Sequence, residues 1–257
     1  MKKIIAFDLD GTLADSKSPI SDEMALLFGA LVQKYTVCVI SGGKFDQFKL
    51  QLINNLHIPK DFLSNLHVLP TCGTKYLHYD VSDDDWKTVY SEDIPQKDKQ
   101  RIKDAIDEAV DHFGYREKKI YGEAIEDRGS QITYSALGQD IVDALGPEGV
   151  KIKLAWDPEH AKKNNLRDYI ADLIPDYEVR VGGISSVDIT RPGIDKAYGM
   201  MKLIDITKSK KSDILFVGDM LHEGGNDYPV KAFGIDTIAV KDWHETALIV
   251  RTLILSK

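Results

Sequence analysis

The stretch "IIAFDLDGTL" (residues 4–13) joins a short apolar run to two aspartates that lie two residues apart. An apolar run of this length is typical of a buried strand, and the aspartates fall where that strand would end. A carboxylate at the edge of a hydrophobic core is costly unless it is paired, hydrogen-bonded or bound to a cation. Asp8 and Asp10 therefore indicate a polar site at the end of the first strand.

Helix-like and strand-like segments alternate around this stretch. "SDEMALLFGALVQKY" (21–35) has apolar residues at helical spacing, and "TVCVI" (36–40) is a β-branched run typical of a buried strand. The last third repeats the alternation, with strand-like runs at 213–219 and 236–240. This order predicts an α/β fold with a doubly wound parallel sheet and right-handed crossovers.

The middle of the chain has a different pattern. Short strand-like runs such as "KTVYSE" (87–92) alternate there with two long amphipathic helices, over 95–113 and from Asp157 to about Leu173. We therefore predict an inserted α+β cap domain at 83–186, with the core domain formed by 1–82 and 187–257.

Composition restricts the partners of the protein. The 257 residues carry a formal net charge of −8, which argues against nucleic acid or an anionic membrane as the main partner. No apolar run approaches the length of a membrane span, and no signal peptide precedes the first strand. Two cysteines in different contexts do not make a disulfide framework. We expect a cytoplasmic protein.

Four polar segments fall where core strands end or where a core helix begins. They are "DLDGT" (8–12), "ISGG" (40–43), "DK" (195–196) and "GDMLHEGGND" (218–227). Open α/β sheets bind ligands at the carboxyl ends of their strands. Each segment alone could be an ordinary turn or a solvated lysine, but together they indicate one site.

The aspartates of these segments fit magnesium-assisted phosphoryl transfer to a carboxylate. Asp8 can attack phosphorus with one oxygen and bind Mg²⁺ with the other. The backbone carbonyl of Asp10 and the side chain of Asp219 would complete the protein ligands, and Asp227 would reach a metal-bound water. The side chain of Asp10 would protonate the leaving oxygen and then activate the attacking group.

The remaining polar residues of the four segments suit phosphate binding. The hydroxyl of Thr12 can bond Asp10 or the phosphate. Ser41, Gly42 and Lys196 would hold the other phosphate oxygens.

These four motifs resemble those of the haloacid dehalogenase (HAD) superfamily. The gap of six residues between "GD" (218–219) and "ND" (226–227), with its double glycine, is similar to that of eukaryotic-type phosphomannomutases within the cap-bearing subfamily IIB. Two further segments, "KKIYGEAIEDRGSQITYSALG" (118–138) and "RVGGISSVDITRPGIDKAYGM" (180–200), also resemble that family.

The resemblance implies roles for residues of the cap. Ser186 and Asp188 would contact sugar hydroxyls or phosphate, and Arg128 would be a substrate-binding arginine of the cap. The alternative for Arg128 is a surface ion pair with the neighbouring Glu126 or Asp127, since such pairs are common. The resemblance further implies a small phosphorylated metabolite as substrate and a homodimer formed through the cap.

One departure from the family pattern bears on the reaction. Phosphomannomutases carry an arginine directly after the glycine that here is Gly138, and another shortly downstream, to hold the distal phosphate of a bisphosphate intermediate. Here Gln139 follows, and residues 139–157 contain no arginine. This favours a phosphatase of a sugar phosphate over a mutase in which Lys153, Arg167 or a partner subunit replaces the arginines. A non-catalytic metabolite-binding module is the third reading.

Overall fold

The computed structural model describes residues 2–255. The strands, in chain order, are β1 (Ile4–Phe7), β2 (Thr36–Ile40), β3 (Leu66–Leu69), β4 (Lys75–Asp80), β5 (Asp85–Ser91), β6 (Ile125–Asp127), β7 (Gln131–Ser135), β8 (Glu178–Val181), β9 (Ser186–Thr190), β10 (Ile214–Gly218) and β11 (Asp236–Ala239). The helices are α1 (Asp22–Lys34), α2 (Phe45–Gln51), α3 (Gln96–His112), α4 (Ile141–Leu145), α5 (Pro147–Trp156), α6 (Ala161–Leu173), α7 (Lys196–Thr207), α8 (Tyr228–Ala232) and α9 (Trp243–Leu255). Short 3₁₀ turns lie at Ile53–Asn55, Lys60–Asn65, Thr71–Gly73 and Lys211–Asp213.

The chain divides into two compact units. The core unit comprises Met1–Ser91 and Ile194–Lys257, and the cap unit comprises Glu92–Gly193. Both divisions fall later in the sequence than the expected boundaries after residues 82 and 186. The reason is strand pairing, because β5 pairs with β4 in the core sheet and β9 pairs with β7 in the cap sheet. The run "KTVYSE", expected in the cap, therefore belongs mostly to the core sheet.

The core sheet has the strand order β11-β10-β1-β2-β3-β4-β5. The strands from β11 to β3 are parallel, as predicted, with Ile4 of β1 paired to Ile214 on one side and to Thr36 on the other. The last two pairings, β3 with β4 and β4 with β5, are antiparallel, so the sheet is mixed at this edge. The doubly wound α/β fold is confirmed.

All four residues of β1 are buried, because the strand lies between two parallel neighbours and has a hydrophobic layer on each face. Phe7 packs edge-on against Phe28 of α1 on one face. Ala6 belongs to the layer on the other face with Met200 of α7. This burial fixes the carboxyl end of β1, and with it the start of the polar segment at Asp8.

The cap unit contains an antiparallel sheet of order β6-β7-β9-β8. One set of alternating side chains, including Ile132 and Ile189, joins a hydrophobic cluster with Ile106 of α3 and Ile170 of α6. The long predicted helices correspond to α3 and α6. The intervening α4 and α5 were not predicted from the sequence. No helix within residues 2–255 is long and apolar enough to cross a membrane.

Candidate active site

The first polar segment begins where β1 ends. The backbone N–H of Asp8 donates a hydrogen bond to the carbonyl of Val217 at 3.0 Å, which continues the pairing with β10 by one residue. Asp8 is buried, with 3% of the residue exposed. Asp8 is thus a carboxylate held at the carboxyl edge of the parallel sheet, where the sequence predicted it.

Lys196 is the first residue of α7, and it is also buried, with 1% exposure. Asp195 caps this helix by accepting a hydrogen bond from the backbone N–H of Tyr198 at 2.9 Å. The Lys196 Nζ lies 2.6 Å from Asp8 Oδ1 and 2.6 Å from Asp227 Oδ1. One buried ammonium therefore joins the first and the fourth polar segments.

Glycine allows α7 to approach the sheet closely enough for these contacts. A Cβ at Gly199, one turn after Lys196, would lie 2.3 Å from Ile40 Cδ1 and 2.8 Å from the carbonyl of Cys72. A Cβ at Gly73 would in turn lie 2.4 Å from the Gly199 Cα. A larger residue at either position would displace the helix that carries the lysine.

Three carboxylates form a compact acidic cluster beside this lysine. Asp8, Asp219 and Asp227 each offer an oxygen, and these oxygens all lie within 4.8 Å of one another. Gly11 has a φ of +80°, and a Cβ there would lie 2.6 Å from Asp219 Oδ2, so only glycine suits this turn. The sequence predicted this grouping because all three aspartates follow adjacent parallel strands.

The charges of the cluster do not balance. Burial raises the pKa of Asp8, and the charges of Asp227 and Asp219 raise it further, whereas Lys196 lowers it. Burial also raises the pKa of Asp219, with the charge of Asp227 as the next cause. Burial disfavours the charge of Lys196, but Asp8 and Asp227 raise its pKa above the ordinary value. Three carboxylates thus surround a single ammonium.

The acidic cluster fits a magnesium ion. Asp219 Oδ1 and Thr12 Oγ1 are both buried and have no hydrogen-bond partner among the described residues. Buried polar atoms are normally paired, so these oxygens require a ligand. Mg²⁺ prefers carboxylate oxygens together with water and phosphate oxygens, and its charge would offset the excess of carboxylates. Asp8, Asp219 and Asp227 are therefore the residues that could hold it.

The side chain of Asp10 lies apart from the acidic cluster. Its carboxylate accepts hydrogen bonds from Gln47 Nε2 at 2.7 Å, from Gln51 Nε2 at 3.0 Å and from the backbone N–H of Lys17 at 2.7 Å. Its predicted roles, a carbonyl ligand to the metal and a proton-transfer carboxylate, stay predictions. The two glutamines were not singled out from the sequence, although their spacing of four residues places them on one face of α2.

The segment after β2 forms a tight turn. Ser41 Oγ accepts a hydrogen bond from the backbone N–H of Gly43 at 3.1 Å, and the Ser41 carbonyl accepts one from Cys72 at 3.0 Å. A Cβ at Gly42 would meet nothing within 4 Å. The structure therefore places Ser41 and Gly42 at the same sheet edge as Asp8, while their phosphate contacts stay predictions.

The predicted cap residues lie on the polar side of the cap sheet. Arg180 of β8, Asp188 of β9, Thr133 of β7 and Glu126 of β6 are successive cross-strand partners. Because paired residues share a face, these four side chains form one polar row. We call this side of the sheet the cap polar face.

Hydrogen bonds order the cap polar face. Thr133 Oγ1 donates to Asp188 Oδ1 at 2.7 Å. Burial raises the pKa of Asp188, and the charge of Arg128 lowers it. Gly182 makes the close approach to Ser186 possible, since a Cβ on Gly182 would lie 2.7 Å from both Ser186 Oγ and Asp188 Oδ2. Ser186 and Asp188 thus lie together, while their contacts with a substrate stay predictions.

Both arginines of the cap polar face are paired with a glutamate two residues earlier in the chain. Arg128 Nε lies 2.7 Å from Glu126 Oε2, and Arg180 Nη2 lies 2.6 Å from Glu178 Oε1. Arg128 therefore forms the ion pair that was given as the alternative to a substrate-binding role, and its partner is Glu126. The pair is not on the surface, because the two side chains are 15% and 11% exposed.

At the carboxyl edge of the doubly wound sheet, the buried carboxylate of Asp8 lies in an acidic cluster beside Lys196. This arrangement is that of a phosphoryl-transfer enzyme of the HAD type. A family model described as haloacid dehalogenase-like hydrolase matches residues 5–230. The chain belongs to this family, in its cap-bearing subfamily IIB, and is similar to phosphomannomutases.

Individual relatives agree with this assignment. Phosphomannomutase 2 of Dictyostelium discoideum is 24% identical over 88% of this chain and 86% of its own length. Phosphomannomutase 1 of the same organism is 26% identical, over 88% of this chain and 86% of its own length.

Among solved structures, a haloacid dehalogenase-like hydrolase from Bacteroides thetaiotaomicron has a TM-score of 0.63, covering 98% of this chain and 100% of its own, at 15% identity. The IMP-bound IMP-nucleotidase of Plasmodium falciparum has a TM-score of 0.67, also at 15% identity, over 98% of this chain and 68% of its own. The two structures show similarity of fold.

Proposed function

We propose that this protein is a magnesium-dependent phosphatase that hydrolyses a small phosphorylated metabolite, of the sugar phosphate class, through an aspartyl phosphate on Asp8. The observation that carries the choice of hydrolysis over isomerisation is the pairing of the cap arginines. Arg128 and Arg180 of the cap polar face are each engaged by a glutamate two residues earlier, and residues 139–157 contain no arginine.

The core unit supplies the groups for the first half of the reaction. Asp8 Oδ1 is held by the Lys196 ammonium, which orients the carboxylate and leaves the other oxygen to attack phosphorus. A bond forms between that oxygen and phosphorus, and the bond from phosphorus to the leaving oxygen breaks. Asp10 gives its proton to the leaving oxygen, so the product leaves as a neutral alcohol.

The second half returns Asp8 to its starting state. A water molecule attacks the phosphorus of the aspartyl phosphate, and the bond to the Asp8 oxygen breaks. Asp10, now ionised, takes the proton of that water, and inorganic phosphate is released. Thr12, Ser41 and Gly42 would hold phosphate oxygens during both halves.

Asp8, Asp219 and Asp227 would hold the magnesium ion. When bound, Mg²⁺ neutralises the charge that otherwise repels a carboxylate from a phosphate dianion. Lys196 supports the same task, since its Nζ donates hydrogen bonds to both Asp8 and Asp227.

The cap polar face supports hydrolysis because its charges cannot hold a second phosphate dianion well. The two arginines, Arg128 and Arg180, face three carboxylates: Glu126, Glu178 and Asp188. A mutase must retain a bisphosphate while it turns around, which requires free bidentate donors. A phosphatase needs only to release its products.

The test is a screen of phosphorylated metabolites with Mg²⁺ in which released phosphate is measured. We expect at least one sugar phosphate to be hydrolysed, and Asp8→Asn to abolish release while the protein remains folded by circular dichroism. Release that persists in Asp8→Asn would refute the proposed mechanism. Absence of release from every compound, by a folded wild-type protein with Mg²⁺, would refute the proposed activity.

A phosphomannomutase-like isomerase is the second candidate, and the relatives named phosphomannomutase favour it. It would interconvert hexose 1- and 6-phosphates and would need a hexose bisphosphate as activator. Conversion of mannose 1-phosphate to mannose 6-phosphate, dependent on that activator and with little free phosphate, would establish this function instead. The homodimer through the cap stays a prediction of the family resemblance.

A further inference from the structure

The two oxygens of the Asp10 carboxylate have different partners in the core unit. Oδ1 accepts hydrogen bonds from the backbone N–H of Lys17 at 2.7 Å and from Gln51 Nε2 at 3.0 Å. Oδ2 accepts one hydrogen bond, from Gln47 Nε2 at 2.7 Å. An oxygen that carries a proton needs an acceptor beside it, so the nature of these partners decides what each oxygen can do.

The amide of Gln51 is fixed in the orientation that donates to Asp10. Gln51 is 2% exposed, and its Nε2 also donates to the carbonyl of Ser18 at 2.9 Å. Because a carboxylate and a carbonyl both accept, the two N–H groups of this amide are in use and its oxygen cannot replace them. Gln51 Oε1 is left buried with no hydrogen-bond partner among the described residues, which is a cost to stability. A residue kept only for stability would avoid that cost.

The backbone of Lys17 is a second fixed donor to Oδ1. Lys17 has a φ of +58°, in the left-handed region that residues other than glycine rarely adopt. The segment after it is fastened to the end of α2, since the backbone N–H of Ile20 donates to the carbonyl of Gln51 at 2.8 Å. A backbone N–H can only donate. Oδ1 of Asp10 therefore faces two donors that cannot become acceptors, which makes it an unsuitable place for a proton.

Gln47, in contrast, can change from donor to acceptor. Its side chain is half-buried, and the bond to Asp10 Oδ2 is the only hydrogen bond that this side chain makes within residues 2–255. The amide lies against Gly43, where a Cβ would be 2.0 Å from Gln47 Oε1, so the glycine leaves room for it. A half-turn of an amide group exchanges its N–H for its oxygen. Gln47 can therefore donate to an ionised Oδ2 and accept from an Oδ2 that carries a proton.

We infer that Gln47 and Gln51 are positioning residues for Asp10, and that Oδ2 is the oxygen that exchanges a proton with the substrate. This inference rests on the proposed function, in which Asp10 protonates the leaving oxygen. In the first half of the reaction the proton passes from Oδ2 to the leaving oxygen, and in the second half Oδ2 takes a proton from water. Gln51 holds Oδ1 throughout, while Gln47 follows the change at Oδ2.

The first experiment compares two substrates that differ in their need for a proton. The leaving oxygen of the sugar phosphate hydrolysed fastest in the metabolite screen is an alkoxide and requires a proton, whereas the weakly basic nitrophenolate of p-nitrophenyl phosphate leaves without one. The quantity measured is kcat/KM with Mg²⁺, because it covers only the steps up to loss of the leaving group. Gln47→Met and Gln51→Met should each lower it about 10- to 100-fold for the sugar phosphate, and less than about twofold for p-nitrophenyl phosphate.

The second experiment tests whether the glutamines act through Asp10. Asp10→Asn should show the same dependence on the leaving group, with a loss of roughly 10²-fold or more for the sugar phosphate. Gln47→Met added to Asp10→Asn should lower kcat/KM by less than about twofold further, since the group that it positions is already gone. Gln33→Met is the matched control, because the Nε2 of Gln33 donates to the carbonyl of Gly29 in α1 instead of to Asp10. It should leave kcat/KM unchanged for both substrates.

Several results would overturn the inference. An equal loss for both substrates in the glutamine variants would show a structural role, and so would a further large loss when Gln47→Met is added to Asp10→Asn. Gln47 is only half-buried, so Gln47→Met decides the test if Gln51→Met does not fold by circular dichroism. A loss that depends on the leaving group, found in a wild-type enzyme that isomerises the sugar phosphate without releasing phosphate, would sustain the positioning role and refute the phosphatase.

Discussion

Lys196 in the core unit and Lys163 in the cap unit are both buried lysines on the first turn of a helix, but their surroundings are opposite. Lys196 is paired with two carboxylates at 2.6 Å and has a third acid close to both. Lys163 has one backbone carbonyl as its partner. The core site therefore has an excess of negative charge that suits a cation, whereas the ammonium of Lys163 has a backbone carbonyl in place of a carboxylate.

The largest effect should come from the carboxylate that Lys196 orients. Asp8→Asn keeps the size of the side chain but removes the nucleophile, so phosphate release should fall by roughly 10³-fold or more. The measurement is steady-state phosphate release with Mg²⁺. Asp15→Asn, on the exposed part of the same segment, is the control and should retain full activity.

Removal of each lysine compares the two sites directly. Lys196→Met leaves Asp8 and Asp227 buried without their cation, and should destabilise the protein by about 3–5 kcal/mol in metal-free buffer. Lys163→Met removes a charge that no acid pairs, and should be neutral or stabilising. Urea unfolding of both variants in EDTA tests this contrast. Equal destabilisation by the two substitutions would contradict it.

Acid pH should weaken the core unit through a residue outside the acidic cluster. His67 of β3 is buried and bonds Tyr76, and burial, with the charge of His78 second, lowers its pKa to about 4. Above pH 6.5 the ring is neutral in both folded and unfolded states. Below that pH the unfolded chain binds a proton that the folded chain excludes until about pH 4, so stability is lost as the pH falls through this window.

The loss assigned to His67 should reach at most about 3 kcal/mol. It is measured as the difference in unfolding free energy between wild type and His67→Gln at several pH values, which cancels the other titrating groups. A difference that stays constant from pH 7 to pH 4 would show that the imidazole does not titrate as its burial requires.

The close approach of α7 to the sheet should make Gly199 sensitive to substitution. Gly199→Ala adds a methyl group that would lie 2.3 Å from Ile40 Cδ1 and 2.8 Å from the carbonyl of Cys72, so the helix or these neighbours must shift. We expect a cost of about 1–3 kcal/mol and a fall in activity, because Lys196 moves with the helix. Gly193→Ala meets no atom within 4 Å but has a φ of +78°, so it should affect stability and spare the kinetics.

The core site could be predicted from the sequence because its residues follow the ends of adjacent parallel strands. The carboxyl ends of parallel strands lie at one edge of the sheet regardless of loop conformation, and this brings Asp8, Asp219 and Asp227 together. Lys196 followed from the family motif. The alternation of helix-like and strand-like segments also predicted the doubly wound sheet, and its central strands are continuous apolar runs because both of their faces are buried.

The burial of Lys163 could not be predicted in the same way. A lysine on an amphipathic helix has the same sequence pattern whether its ammonium reaches water or a loop, and the contact of Lys163 with Gly183 joins residues from separate elements. The position of β5 was missed for a similar reason, since alternation of apolar and polar residues does not say which sheet a strand joins. Gln47 and Gln51 are also recognised as partners of Asp10 only when the fold is known.

The central claim is that the aspartyl phosphate formed on Asp8 is hydrolysed by water. The most direct measurement follows one hexose phosphate with Mg²⁺ and records free phosphate, isomer formed and substrate consumed in the same sample. We expect one free phosphate for each substrate molecule consumed, with no isomer formed and no effect of added hexose bisphosphate. Isomer formed in place of phosphate, in a reaction that depends on the bisphosphate, would contradict it.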